Sequence, residues 1–317
     1  MNASVEVLYI AGCGRSGSTL LDNILGQLEG CFSGGELWHI WRRGLIENRR
    51  CSDGPAFREH PFWREVFAHG FGGMEAVSAE EAGALARWAR SLLVSQRYPQ
   101  LALGRMPDVH TGLLAYRAAL ARLYGAIAAV SGARLLVDSS KSPVYAACLG
   151  SLPGVRLRVL QLVRDPRAVA HSWARHREQP DKGGMMDRHG TLWSALQWRL
   201  ANAGARTLGR SGDIPHLTLR YEDFVRAPRA ELRALLDWLG HDGAGFPFSG
   251  DERFLLRPGC AFAGNPGRFR TGLQTLSPDE EWRSAMPVGR RLLLEALTAP
   301  ELRRYGYAAA APVGKTA

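Results

Sequence analysis

Short apolar runs that end in polar residues recur along this chain, and segments of helical spacing lie between them. Val5-Glu6-Val7-Leu8-Tyr9-Ile10-Ala11 opens the series and runs into Gly12. Arg134 to Val137 ends at Asp138-Ser139-Ser140-Lys141, Val155 to Val163 ends at Arg164-Asp165-Pro166, and His216 to Arg220 runs into Tyr221-Glu222-Asp223. Runs of this length, bounded by turn residues and alternating with helices, predict a parallel sheet covered by helices. Leu20, Leu21, Ile24, Leu25 and Leu28 fall at helical spacing before Gly30, and Glu80–Ser95, Gly112–Val130 and Arg229–Leu239 are rich in alanine and leucine at the same period. Pro166 suits the start of a further helix. The glycine, proline and charge of Arg42–Gly73 and Gln179–Gly190 read as loops or lids. The pattern fits one catalytic domain over residues 1–307 with a frayed tail at 308–317. In such an open sheet the polar strand ends are where ligands collect.

Composition narrows the class. Of 317 residues, 46% are hydrophobic, which is enough for a substantial core and excludes a disordered chain. The formal net charge of +10 favours an anionic ligand. No basic run with interleaved aromatics accompanies it, so a nucleic-acid partner is not expected. The five cysteines are odd in number and scattered, which suggests neither a disulfide framework nor a zinc site. The N-terminus lacks a basic leader segment, and no uninterrupted apolar stretch reads as a membrane span. A cytoplasmic location is the expectation, with no transmembrane segment.

The first apolar run feeds Gly12-Cys13-Gly14-Arg15-Ser16-Gly17-Ser18-Thr19. The spacing of Gly12 and Gly17 matches a P-loop, but Ser18 stands where a nucleotide triphosphatase places its lysine. That departure points to a phosphorylated nucleotide without a γ-phosphate. Successive backbone N–H groups at a helix N-terminus bind phosphate, Arg15 adds a permanent cation, and Ser16, Ser18 and Thr19 add hydroxyls. A second element, Arg164-Asp165-Pro166-Arg167 through Ser172, sets a guanidinium at a strand end with a hydroxyl two turns along the next helix. That pair can hold one phosphate from one side. Read alone, it is equally a local salt bridge.

Taken in order, Gly14 to Leu21 and Val163 to Ser172 resemble sulfotransferases that use 3′-phosphoadenosine 5′-phosphosulfate. The resemblance implies a P-loop α/β fold in three layers, a central, mainly parallel sheet flanked by helices. It implies that Gly14, Arg15, Ser16, Gly17, Ser18 and Thr19 cradle the 5′-phosphosulfate, and that Arg164 and Ser172 hold the 3′-phosphate. Gly264-Asn265-Pro266-Gly267-Arg268-Phe269-Arg270 is similar to the glycine/arginine loop that closes over the nucleotide, which gives Asn265 and Arg268 a cofactor-binding role. A sulfuryl group carries less charge than a terminal phosphoryl group, so no divalent metal is required, and the sequence offers no evident acidic pair for Mg²⁺. What transfer requires is an acceptor base with cations on the leaving side.

Cys31-Phe32-Ser33-Gly34-Gly35-Glu36-Leu37 resembles the cysteine/glycine/glutamate segment of tyrosylprotein sulfotransferases, which implies Glu36 as the base. Glu36 can equally be a first-turn carboxylate at a helix start, and His39 and His110 are alternative bases. Lys141 resembles a lysine aimed at the bridging oxygen of the leaving group, with Arg15 beside it; a solvated loop lysine is the plain alternative. Glu222 and Asp223 read as structural. The expected reaction moves a sulfuryl group to a hydroxyl or amine of a small molecule, glycan or lipid. A P-loop kinase-like phosphotransferase and a noncatalytic nucleotide-binding protein are the rival readings.

Overall fold

The computed structural model describes residues 4–93, 111–181, 183–210, 213–248, 250 and 252–307. His110 and the segment 308–317 lie outside them. Five parallel strands form the central sheet: β1 (Val5–Gly12), β2 (Cys31–Ser33), β3 (Leu135–Lys141), β4 (Val155–Val163) and β5 (His216–Arg220), in the order β2-β3-β1-β4-β5. The four strands read from sequence are present, three of them within a residue of their expected bounds, while β3 runs on from Val137 through the polar residues to Lys141; the short β2 is additional. Helix α1 (Ser18–Leu25) leaves β1 through the glycine loop.

Alternation along β1 divides the core. Val7 and Tyr9 face one side, where α2 (Pro61–Phe71), α3 (Ala79–Ser91), α4 (Thr111–Ser131) and α5 (Pro143–Gly150) pack. Leu8 and Ile10 face the other, against α1 and the elements after β5. Helices α6 (Pro166–Ala174) and α7 (Thr191–Arg210) follow β4; α8 (Tyr221–Arg226) and α9 (Pro228–Leu239) follow β5. A two-stranded antiparallel sheet, β6 (Arg253–Leu256) and β7 (Gly272–Thr275), precedes α10 (Trp282–Ala285) and α11 (Val288–Arg304).

Two expectations are corrected. Within Arg42–Gly73 the chain forms a π-helix (Ile40–Ile46) and α2 rather than continuous loop. Trp63, Val66, Phe67 and Phe71 share one buried face of α2, and His60 with Pro61 starts it. Gly112–Ser131 in α4 is long and apolar enough by length and composition to cross a bilayer. Here Tyr116, Leu120, Leu123, Tyr124 and Ile127 are buried in the domain's own core, so that composition serves tertiary packing.

Gly12 lies at φ +138°, and a Cβ there would stand 2.4 Å from the Leu162 carbonyl oxygen of β4. Gly12→Ala must therefore strain the backbone and push the two central strands apart. Loss of about 1–3 kcal/mol from the backbone conformation alone is expected, read as a lower urea midpoint. An unchanged midpoint would show that the close approach does not matter.

Candidate active site

At the carboxyl ends of the strands lies a cavity of about 650 Å³. Gly14, Arg15, Gly17, Ser18 and Thr19 of the loop line it, with Glu36, Lys141, Arg164, Ser172 and Asn265. Sequence segments up to 250 residues apart thus converge on one space. Arg268 does not line it. Its guanidinium bonds the Gly264 carbonyl at 3.1 Å and pairs with Asp181 at 2.8 Å, while Arg270 of the same run reaches the cavity. A larger hollow of about 1320 Å³ opens at the amino ends of the strands, with alanine and glycine making up about half of its wall, and holds none of these residues.

The loop is built as an anion cradle. Gly17 takes φ +91° at the cap of α1, and a Cβ there would press on the Tyr221 ring at 2.5 Å. Arg15 is held at φ +71°, a costly conformation for a side-chain-bearing residue. Its guanidinium lies over Trp173 at 4.5 Å and donates to the Met186 sulfur at 3.3 Å, yet Nε and Nη1 are buried without a hydrogen-bond partner. The Ser16 hydroxyl is buried and unpartnered as well. Burial, with Arg177 nearby, lowers the Arg15 pKa to about 10, against the pull of Glu36. Buried donors without acceptors mark a site that an anion would complete.

Arg164 ends β4 and turns back toward the loop. Its Nη1 donates to the Arg15 carbonyl at 2.9 Å, its Nη2 donates to Asp279 Oδ2 at 2.9 Å, and the group stacks on Tyr221 at 4.5 Å. The Arg164 carbonyl accepts from Trp198 Nε1 at 2.8 Å, which fixes the strand end. Ser172, buried on α6, shares the cavity wall.

Glu36 and Lys141 meet directly. Lys141 Nζ donates to Glu36 Oε1 at 2.5 Å and to the Ser139 carbonyl at 3.0 Å. A register shift between Tyr9 and Ala11 pairs Ala11 with Lys141, and Lys141 itself sits at φ +72°. That bulge brings the lysine beside the loop. Glu36 Oε2 stands 3.5 Å from His39 Nε2. Burial alone would raise the Glu36 carboxyl, but Lys141, with His39 and Arg43 behind it, holds it well below the usual carboxylate range. Burial, with Arg43 and Lys141, brings His39 down to about 3, so its imidazole is neutral near neutral pH.

Behind the pair, Asp138 accepts from the Ser140 N–H at 2.8 Å and from the hydroxyls of Ser140 and Tyr124, and Ser140 Oγ accepts from the Trp38 N–H at 3.2 Å. This network ties the turn after Glu36 to the end of β3. Burial pushes Asp138 up to about 6, against these three donors and the Leu37 N–H, which favour its charged form. Glu222 accepts from the Asp165 N–H at 2.9 Å and from the Tyr307 hydroxyl at 2.7 Å, away from the cavity.

Arg43, Trp173, Arg177, Tyr221 and Asp279 also line the cavity and were not selected from sequence. Arg177 lies five residues past Ser172 and just before the Gln179–Gly190 segment; Arg43 and Asp279 carried no motif. Cys51, Asp53 and His60 offer ligand atoms within 4.8 Å of one another. His60 Nδ1 accepts the Phe62 N–H at 3.2 Å, so Nε2 carries the proton that meets Asp53 at 2.8 Å. In that tautomer His60 caps α2 through Nδ1 and pairs with Asp53 through Nε2.

Comparison with known proteins decides the family. A model described as the sulfotransferase family matches residues 8–244. The chain belongs to the sulfotransferase family. Human carbohydrate sulfotransferase 6 and carbohydrate sulfotransferase 3 are each 28% identical to it over 49% of its length, and the matches span 42% and 34% of those proteins. Two solved structures share the fold at a TM-score of 0.52: the sulfotransferase domain from the curacin biosynthetic pathway, at 19% identity over 97% of this chain and 99% of that one, and the sulfotransferase domain from the Synechococcus PCC 7002 olefin synthase, at 21% identity over 97% of each. The central parallel sheet flanked by helices is the expected P-loop-type fold.

Lys141→Met tests the pairing in this family member. With the cation gone, only His39 and Arg43 oppose the effect of burial, so the Glu36 carboxyl should titrate higher than in the wild type. Carbon-13 NMR of labelled glutamate reads the change. The depressed pKa also means that the pair contributes stability above the unfolded carboxyl pKa and loses it as pH falls through the folded value. A Glu36 signal that titrates alike in both proteins counts against the coupling.

Proposed function

We propose that this sulfotransferase takes its sulfuryl group from 3′-phosphoadenosine 5′-phosphosulfate and passes it to an acceptor hydroxyl or amine, with Glu36 as base. The carrying observation is the shared cavity: the glycine loop, Arg164 with Ser172, and the Glu36–Lys141 pair all line it. The unpartnered donors of Arg15 and Ser16 suit the phosphosulfate end, and the buried Arg164 suits a second phosphate. Among small-molecule, glycan and lipid acceptors, the two carbohydrate sulfotransferase relatives favour a sugar hydroxyl.

In this reading Glu36 receives the acceptor proton as the acceptor oxygen bonds to sulfur. The bond from sulfur to the bridging phosphate oxygen breaks, and adenosine 3′,5′-bisphosphate leaves with that electron pair. Lys141 turns from Glu36 to the bridging oxygen, where charge develops, and Arg15 supports the same side. The two tasks are coupled. While Lys141 grips Glu36 the carboxylate is a weak base, and as Lys141 leaves for the donor the basicity of Glu36 rises toward what proton transfer needs. Asp138 and Ser140 hold the Glu36 turn and the Lys141 strand end together during that exchange.

Glu36→Gln should cut turnover by about 10²–10⁴ while bisphosphate affinity stays within a small factor. Full activity in that variant would rule Glu36 out as the base. Arg164→Ala should weaken adenosine 3′,5′-bisphosphate by about 1.5–3 kcal/mol and leave AMP nearly unchanged, measured by calorimetry. Equal losses for both nucleotides would place Arg164 away from the 3′-phosphate.

A further inference from the structure

Arg164 already holds an anion of the chain's own. Asp279 Oδ2 sits 2.9 Å from its Nη2, the Asp279 carbonyl is 3.5 Å from the same nitrogen, and Asp279 lines the cavity. Two residues on, Glu281 pairs with Arg175 at 2.8 Å and stands 3.4 Å from His171. The segment 275–281 therefore lays one carboxylate on Arg164 at the end of β4 and another on Arg175 just past α6. Burial would raise the Asp279 carboxyl, but Arg164, with Arg175 and Arg177, holds it below the usual range, so it is ionised. Arg164 is 6% exposed, and a guanidinium so buried needs a counter-charge when no ligand supplies one.

We infer that Asp279 is a built-in surrogate for the ligand phosphate on Arg164, which a bound nucleotide must displace and which returns as product leaves. The inference rests on the donor reading above. A phosphate dianion on Arg164 would meet the Asp279 carboxylate at close range, and two like charges sharing one buried cation repel strongly. Binding is thus an exchange of one anion for another, and its net gain is the difference between them. The same exchange speeds departure of a doubly phosphorylated product, because the cation it abandons is recaptured within the protein. Asp279 thereby sets nucleotide affinity without touching the reacting sulfur.

Calorimetry on the full chain with adenosine 3′,5′-bisphosphate and with AMP tests this. Asp279→Asn should bind the bisphosphate about tenfold tighter or more, release it correspondingly more slowly in stopped flow, and bind AMP as before. Arg164→Ala added to that variant should erase the gain. A bisphosphate affinity that is unchanged or weaker would overturn the inference and make Asp279 a simple support for Arg164. Thermal melts in sodium sulfate supply an arm that does not need the nucleotide: sulfate should stabilise Asp279→Asn more steeply than wild type. If neither protein binds either nucleotide, the donor reading fails, and parallel sulfate responses would then overturn the displacement as well. Asp279→Ser replaces Asn should the amide variant misfold.

Discussion

One hydrogen bond joins the two halves of this site: Arg164 Nη1 to the carbonyl of Arg15. The residues are 149 positions apart, and they meet because β1 and β4 are adjacent, with Gly12 opposite Leu162 at their carboxyl ends. The close approach at Gly12 allows that pairing to run to the last residue of the strand. The glycine loop and the strand-end arginine are then held in one frame, set by sheet hydrogen bonds instead of by flexible side chains. Trp198 and Tyr221 fix Arg164 from two further sides. A ligand with an anion at each end is the partner that such a frame can recognise.

Charge explains much of the remaining geometry. Arg15, Arg43, Lys141, Arg164 and Arg177 face a space to which Glu36 and Asp279 contribute the opposing carboxylates. A cluster of half-buried cations raises its own free energy, which is why burial and neighbouring arginines lower the pKa of Arg15 and Arg43. The protein offsets part of this internally, with Glu36 on Lys141 and Asp279 on Arg164. Asp181, drawn between Arg49 at 3.4 Å and Arg268 at 2.8 Å, does the same for the loop at the cavity's edge. Those ion pairs hold the site's cations in place, and the proposed ligand chemistry acts on the same few atoms.

Much of this was legible in the residues. The apolar runs gave β1, β3 and β4 because a strand buried on both faces needs a continuous apolar stretch, while the edge strand β5 showed as a short apolar/polar alternation. Gly12 to Thr19 stood out because a glycine loop between a strand and a helix needs its glycines at fixed positions in consecutive sequence. Asp279 and Arg43 left no such trace. A single carboxylate or guanidinium in a polar stretch looks like any solvated side chain until the fold delivers it to a cavity. The assignment of Arg268 shows the same limit from the other direction. Motif position chose it over Arg270, and the local turn sent its side chain to Asp181.

Local physics in the sequence therefore determined the strand and helix pattern, the parallel sheet and the glycine loop, since each depends on neighbours within a few residues. The tertiary structure alone decided that Glu36 meets Lys141, that Arg164 meets both Arg15 and Asp279, and that α4's apolar surface packs inside the domain. Those outcomes depend on strand order, on a one-residue register shift beside Ala11 and on side-chain direction at a strand end. Such quantities arise when distant segments share space and compete for the same charges, and no stretch of chain contains them by itself.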